Sequence, residues 1–231
     1  MIYAAMRLLM RSLVHVVLAG LFTLVGREKV PRSGPLLVCS NHVSTLDPPL
    51  LPAFLPRGDS WSMAKAEYFE NPVVKLIFRL YHAFPVIRHS ADRAALRRAI
   101  SIVREGHALI LYPEGTRIVS GGLHRPEPGA GFLATLTGAP IVPVAVSGSR
   151  EVLGKGFRFP RRAPVRLEFG EPFRIPARLA NGGRVEHEDA AAAIMLAIAE
   201  LLPEDLRGEF SDLDAWRKKV GGLRQRVGGS L

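Results

Sequence analysis

The chain has 231 residues, 48% of them hydrophobic, enough for one large domain with a full core. Its 31 Lys and Arg against 21 Asp and Glu leave a net charge of +10, which suits an anionic partner: nucleic acid, anionic lipid or a phosphorylated substrate. A single cysteine, Cys39, excludes an intramolecular disulfide and a cysteine-based zinc site.

From Met1 to Val25 the sequence is almost wholly apolar, interrupted by Arg7, Arg11 and His15. The clean stretch from Ser12 to Gly26 is shorter than the roughly 20 residues a spanning helix needs. No small-x-small cleavage site follows it before Arg27. The pattern predicts a helix lying in a membrane interface, with Arg7 and Arg11 on one helical face, toward the headgroups. This divides the chain into a membrane-associating helical segment over 1–28, a main domain over 29–210 and a basic tail over 211–231.

Pro35 to Cys39 is a short apolar run that predicts a buried strand. It delivers the chain into Ser40-Asn41-His42-Val43-Ser44-Thr45-Leu46-Asp47, after which Pro48 and Pro49 open a short helix with Asp47 as its cap. His42 and Asp47 thus flank a strand-to-helix turn. A histidine held by a carboxylate keeps one tautomer, and its other nitrogen is free to take a proton from a hydroxyl. Taken alone, the pair reads first as a capping aspartate beside a solvated loop histidine.

Further on, Trp61 to Ala64 predicts a strand leading to Lys65. Asn71-Pro72 opens a helix with Val73, Leu76, Ile77 and Leu80 on its buried face. Ala83 to Ile87 is extended and finishes on Arg88. Ser90 caps a helix over about 91–105, apolar at Ala95, Leu96, Ile100 and Val103, with Arg93, Arg97 and Arg104 as a solvated face. Ala108 to Tyr112 is a strand running into Pro113-Glu114-Gly115-Thr116-Arg117. The Gly- and Pro-rich stretch 120–131 is a loop, Phe132 to Thr137 a short helix, and Ile141 to Val146 a buried strand. Val165 to Gly170 alternates like an edge strand. An Ala-rich helix over about 186–202 and a basic segment, 216–226, complete the chain. Strands alternating with helices predict an α/β single domain with a largely parallel central sheet flanked by helices.

Three predicted strand ends carry His42 with Asp47, Arg88, and the Glu114-to-Arg117 turn, and strand ends are where open α/β sheets build sites. The set comprises a base, a carboxylate to orient it, and two arginines whose planar forks suit phosphate oxygens. In these blocks the sequence resembles the glycerolipid acyltransferases of the 1-acylglycerol-3-phosphate (lysophosphatidate) acyltransferase type. The resemblance rests on Asn41-His42 with Asp47, on Phe84 with Arg88, on Tyr112 to Arg117, and on Pro143 within its apolar strand. Lys65 to Phe69 also matches a lysine-containing segment between the first two blocks. Order and spacing agree from about residue 30 to 170. Two positions depart from the pattern: Ile118 stands where many members have serine, and Pro128 where many have lysine.

The resemblance implies that 29–210 is an acyltransferase domain transferring a fatty acyl group from an acyl thioester to a lysophospholipid hydroxyl. The product with 1-acylglycerol-3-phosphate is phosphatidate. It implies His42 as general base and Asp47 as its partner. Arg88, Glu114, Gly115, Thr116 and Arg117 fall at the phosphate, and Asn41, Lys65, Phe84, Val142 and Pro143 at acyl or substrate contacts. No metal and no cofactor are implied; acyl-coenzyme A or acyl carrier protein is the co-substrate. The implied location is the cytoplasmic face of a membrane, reached through 1–28, with no nucleic acid as partner. A different lysolipid acceptor fits the same residues. Charge alone also admits a non-enzymatic basic protein binding membrane or nucleic acid, although no groove-reading motif is present. A hydrolase using Ser44 lacks the Gly-x-Ser-x-Gly turn.

Overall fold

The computed structural model describes residues 2–87, 92–119, 121–154 and 159–227. Strands β1 (Phe22–Val25), β2 (Leu36–Ser40), β3 (Ser60–Lys65), β4 (Ala83–Val86), β5 (Ala108–Leu111), β6 (Ile141–Ser147), β7 (Val165–Phe169), β8 (Phe173–Arg174) and β9 (Gln225–Arg226) form one sheet. Its main path runs β1-β7-β6-β2-β5-β3-β4, and β8 and β9 extend it beside β6. The pairings β1–β7, β6–β2, β2–β5, β5–β3 and β3–β4 are parallel; β6–β7, β6–β8 and β8–β9 are antiparallel.

The apolar runs are continuous because both faces of the central strands are covered. Along β2, Leu36 and Val38 pack on one side while Leu37 and Cys39 pack on the other, as the two-residue period of a strand requires. The first side is covered by α1 (Ile2–Val17) and α2 (Asp47–Phe54). The second is covered by α4 (Arg93–Arg104), α5 (Gly129–Thr137) and α7 (His187–Ala199). The alanines of α7 let α5 approach closely: a Cβ on Gly131 would lie 2.0 Å from the carbonyl oxygen of His187. The remaining helices are α3 (Pro72–Leu80), α6 (Ser149–Leu153) and α8 (Leu213–Val220).

The N-terminal segment differs from its expectation. Its helix stops at Val17, and Phe22–Val25 is a strand paired with Val165–Glu168 of β7. The aromatic and β-branched residues of β1 are hidden in one apolar run with the helix, so periodicity alone could not separate them. With β1 outside it, β7 is an interior strand, not an edge.

Arg7 and Arg11 turn inward. Arg7 Nε donates to the Pro52 carbonyl at 2.8 Å, and its Nη2 donates to Leu55; Arg11 Nε donates to Ala53. Arg27 Nε adds a bond to Phe54 at 2.8 Å. Three guanidinium groups therefore satisfy the carbonyls that end α2, where the helix dipole also favours positive charge. The outer face of α1 presents Ile2, Leu9, Leu13 and Val16, with Leu9 70% exposed. No helix among the described residues is long and apolar enough to cross a membrane.

Helix α3 begins as expected, with Pro72 in its first turn and Asn71 Oδ1 accepting the N–H groups of Val73 and Val74. Its apolar face, however, is uncovered: Val73 is 65%, Leu76 57% and Ile77 49% exposed. Periodicity identified residues that share a face, but not what lies against it. The cap of α4 is Asp92, whose Oδ1 accepts from Ala94 and Ala95; Ser90 lies outside the described residues. The basic segment near the C-terminus is part of the domain. Within α8, Trp216 stacks on Phe210 at 4.5 Å and donates Nε1–H to the Glu209 carbonyl, and β9 pairs with β8.

Candidate active site

Adjacent strands β6, β2 and β5 end on the same edge of the sheet, and the turns that follow them meet there. After β2, Asn41 continues the ladder with its side chain: Nδ2 donates to the Val146 carbonyl and Oδ1 accepts the Val146 N–H, both at 2.8 Å. This locks the exit of β2 onto β6 just before His42. Each end of the Asn41 amide thus makes one hydrogen bond to the sheet.

His42 Nδ1 lies 3.0 Å from Asp47 Oδ2. The same oxygen accepts the backbone N–H groups of Val43 at 2.8 Å and Ser44 at 2.7 Å. A carboxylate oxygen only accepts, so Nδ1–H is the donor of this bond, and in the neutral ring Nε2 keeps its lone pair. Asp47 is the first residue of α2 rather than its cap, and its carboxylate reaches back into the turn. Asp47 Oδ1 accepts from the Ser149 hydroxyl at 2.6 Å. Ser149 follows β6 and carried no signal in the sequence. The ring of Tyr112 stacks on the imidazole, centroids 4.3 Å apart. Burial holds the Tyr112 phenol well above its ordinary range, reinforced by the nearby Asp47 charge, so it stays neutral.

The turn after β5 is joined to the histidine through backbone. Ile118 N–H donates to the His42 carbonyl at 2.8 Å, and Ile118 itself is buried. Gly115 adopts φ 69°, which suits glycine, and a Cβ there would lie 3.0 Å from Glu127 Cγ. Glu114 is buried and accepts the N–H groups of His42 at 3.2 Å and His124 at 3.0 Å. Burial pushes its carboxyl up, against the pull of those two donors. Its contacts are to backbone, where the resemblance implied phosphate or an arginine. Thr116 is exposed. Arg117 is half-buried, with no hydrogen-bond or ion-pair partner among the described residues. Arg88 lies outside the described residues.

A cavity of about 910 Å³ opens beside these turns. His42, Tyr112 and Gly115 line it, together with the apolar side chains of Met63, Val86, Leu96, Ile110, Phe132 and Leu133. Pro128, where the sequence departs from the resemblance, lines it as well, with Gly129 after it. Four of the implied contacts lie elsewhere. Lys65 pairs with Glu67 at 2.9 Å at the end of β3. Phe84 is buried in the core, as are Val142 and Pro143 inside β6. Pro143 borders a smaller cavity of about 370 Å³ that also meets Gly170 and Leu201. No cluster of three or more His, Cys, Asp or Glu side chains that could hold a metal ion occurs among the described residues. Cys39 is buried in the core, and burial pushes its thiol up, so it is no nucleophile.

A family model described as Acyltransferase matches residues 22–147, more than half of the chain. A chloroplastic 1-acyl-sn-glycerol-3-phosphate acyltransferase of Brassica napus is 30% identical over 135 residues, 57% of this chain and 38% of that protein. The 1-acyl-sn-glycerol-3-phosphate acyltransferase of Bacillus subtilis is 27% identical over 156 residues, 67% of this chain and 75% of that one. The match to the Borreliella burgdorferi protein of the same name covers 58% of its length at 28% identity. Among solved structures, the 1-acyl-sn-glycerophosphate acyltransferase PlsC of Thermotoga maritima shares the fold, with a TM-score of 0.69 and 24% identity. That likeness covers 86% of this chain and 78% of that one.

Proposed function

Because the chain belongs to the Acyltransferase family, we propose that it moves a fatty acyl group from an acyl thioester to the free hydroxyl of a lysophospholipid. The acceptor we assign is 1-acylglycerol-3-phosphate, the substrate in the names of the relatives. The observation that carries this reading is the His42 imidazole, oriented by Asp47 at 3.0 Å and lining an apolar cavity of about 910 Å³. That volume lies within the ~300–1,000 Å³ of ordinary small-molecule sites, and its apolar walls suit an acyl chain.

In this reaction Nε2 of His42 takes the acceptor's hydroxyl proton as the oxygen attacks the thioester carbonyl. The new C–O bond forms, the tetrahedral intermediate collapses, and the C–S bond breaks. The departing thiolate recovers the proton from the imidazolium. The Asp47 carboxylate stabilises that cation and keeps Nδ1 protonated throughout. Arg117, half-buried beside the His42 turn and without an ion-pair partner among the described residues, takes the acceptor's phosphate; the resemblance gives Arg88 the same task. Coenzyme A or acyl carrier protein carries the acyl group, and no metal or cofactor enters a step.

We place the protein on the cytoplasmic face of a membrane. The uncovered apolar faces of α1 and α3 support contact with a membrane, as does the +10 charge, at about 1 kcal/mol per basic residue close to an anionic leaflet. The test of the reaction is thiol release from oleoyl-coenzyme A on adding lysophosphatidate, with the lipid product identified. Phosphatidate from the wild type and none from folded His42→Ala is the expected result. Thiol release without acceptor makes the protein a thioesterase, and turnover only with another lysolipid moves the acceptor.

A further inference from the structure

We propose that Ser149 is a positioning residue for the reaction, holding the Asp47 carboxylate in the one orientation that presents Oδ2 to His42. This rests on the acyl-transfer reading above. Asp47 is fully buried, and its two oxygens are used unequally. Among the described residues, Oδ2 accepts three N–H groups, from His42 Nδ1, Val43 and Ser44, while Oδ1 accepts only the Ser149 hydroxyl, at 2.6 Å. That distance falls in the range of hydrogen bonds between a hydroxyl and an ionised carboxylate. Ser149 is itself fully buried, so no water competes for either partner.

The geometry is imposed by the fold. A carboxylate can turn about its Cβ–Cγ bond, and a turn would carry Oδ2 out of line with the imidazole. Ser149 opposes that motion from the side away from the histidine. It is brought there by β6, which runs beside β2 with Ser40 opposite Val144. Gly148 makes the final bend at φ 78°, where a Cβ would lie 1.8 Å from the Pro164 carbonyl oxygen. Helix α6 then grips the same turn a second time, as its Leu153 carbonyl accepts the hydroxyls of Ser44 at 2.7 Å and Thr45 at 3.2 Å. Ser149 is not among the residues lining the cavity, so its effect on chemistry passes through Asp47.

The test compares wild type with Ser149→Ala and Ser149→Thr, in full-length protein, by steady-state kinetics with oleoyl-coenzyme A and lysophosphatidate. It adds the NMR resonance of the His42 Nδ1 proton in the resting protein. Ser149→Ala should lower kcat roughly tenfold or more, the effect of losing one hydrogen bond to a charged group, with both KM values unchanged. The Nδ1 proton signal should move and exchange faster with water. Ser149→Thr, which keeps the hydroxyl, should restore both. An unchanged kcat and resonance in Ser149→Ala would overturn the proposal, and so would a loss confined to KM. Should Ser149→Ala fail to fold, Ser149→Cys, slightly larger and a weaker donor, is read in the same way. A wild type that transfers no acyl group sinks the reaction, while the proton resonance still decides the role of Ser149.

Discussion

Glu114 and His42 are joined through the histidine's backbone: the buried carboxylate accepts the main-chain N–H at 3.2 Å and leaves the ring to Asp47. The same carboxylate accepts the N–H of His124 at 3.0 Å, so one side chain ties three turns together. Its role is to hold the frame in which the imidazole sits.

This makes a prediction about pH. Burial raises the Glu114 carboxyl above its ordinary value. A raised carboxyl contributes stability that is full below its unfolded value and is lost as pH rises through its folded one. Glu114→Gln cannot ionise and lacks that loss. The variant is less stable than wild type at acid pH, because its amide can accept only one of the two N–H groups. Its deficit should shrink as pH rises from about 4 to 7. Differential scanning calorimetry across that window measures it; a deficit that stays constant or widens contradicts the assignment.

Asp47 ties the turn together through its bonds to Val43, Ser44 and Ser149, whereas the only hydrogen bond of the His42 ring among the described residues is the one to Asp47. His42→Ala should therefore abolish turnover, by about 10²–10⁴-fold for a lost general base, with little change in thermal stability. Asp47→Asn should lose activity and also stability, by about 1–3 kcal/mol for a buried donor left unmet at Val43, Ser44 or Ser149. Denaturant unfolding of the two variants gives the comparison. Equal stabilities would mean that the backbone bonds to Asp47 contribute little.

The two faces of α1 should behave oppositely. Arg7→Ala with Arg11→Ala strips donors from the carbonyls of Pro52, Ala53 and Leu55, and should cost about 1–3 kcal/mol of stability. Leu9→Glu with Leu13→Glu changes side chains that are exposed, so the fold should hold while binding to anionic liposomes is lost. Flotation assays and thermal unfolding separate the two effects. Retention of liposome binding by the glutamate variant would remove α1 from the membrane contact.

The sequence revealed those features that lie contiguously along it. The Asn41-to-Asp47 and Tyr112-to-Arg117 blocks each carry their chemistry within a few residues, and the apolar runs of β2, β5 and β6 mark the buried strands. Contacts made across the fold stayed hidden. Ser149 is a serine after a glycine at a strand end, a pattern with many uses, and only the pairing of β6 with β2 brings it to Asp47. Asn41 looked like a substrate contact because it precedes the histidine, yet its amide completes a sheet. The apolar stripe of α3 was legible, but its exposure was not, since a stripe specifies a face and not a neighbour. The same limit hid the strand β1 inside an apolar run.

Helix α2 has the proposed base's partner at one end and the α1 arginines at the other. Asp47 is its first residue, and its last carbonyls sit under the guanidinium groups of Arg7, Arg11 and Arg27. Eight residues of helix measure about 12 Å. The helix is therefore a spacer between the Asp47 carboxylate and the carbonyls gripped by those arginines. One more turn in α2 would move Asp47 about 5 Å further from those carbonyls. The length of α2 thus fixes how far the α1 contacts stand from the His42–Asp47 pair.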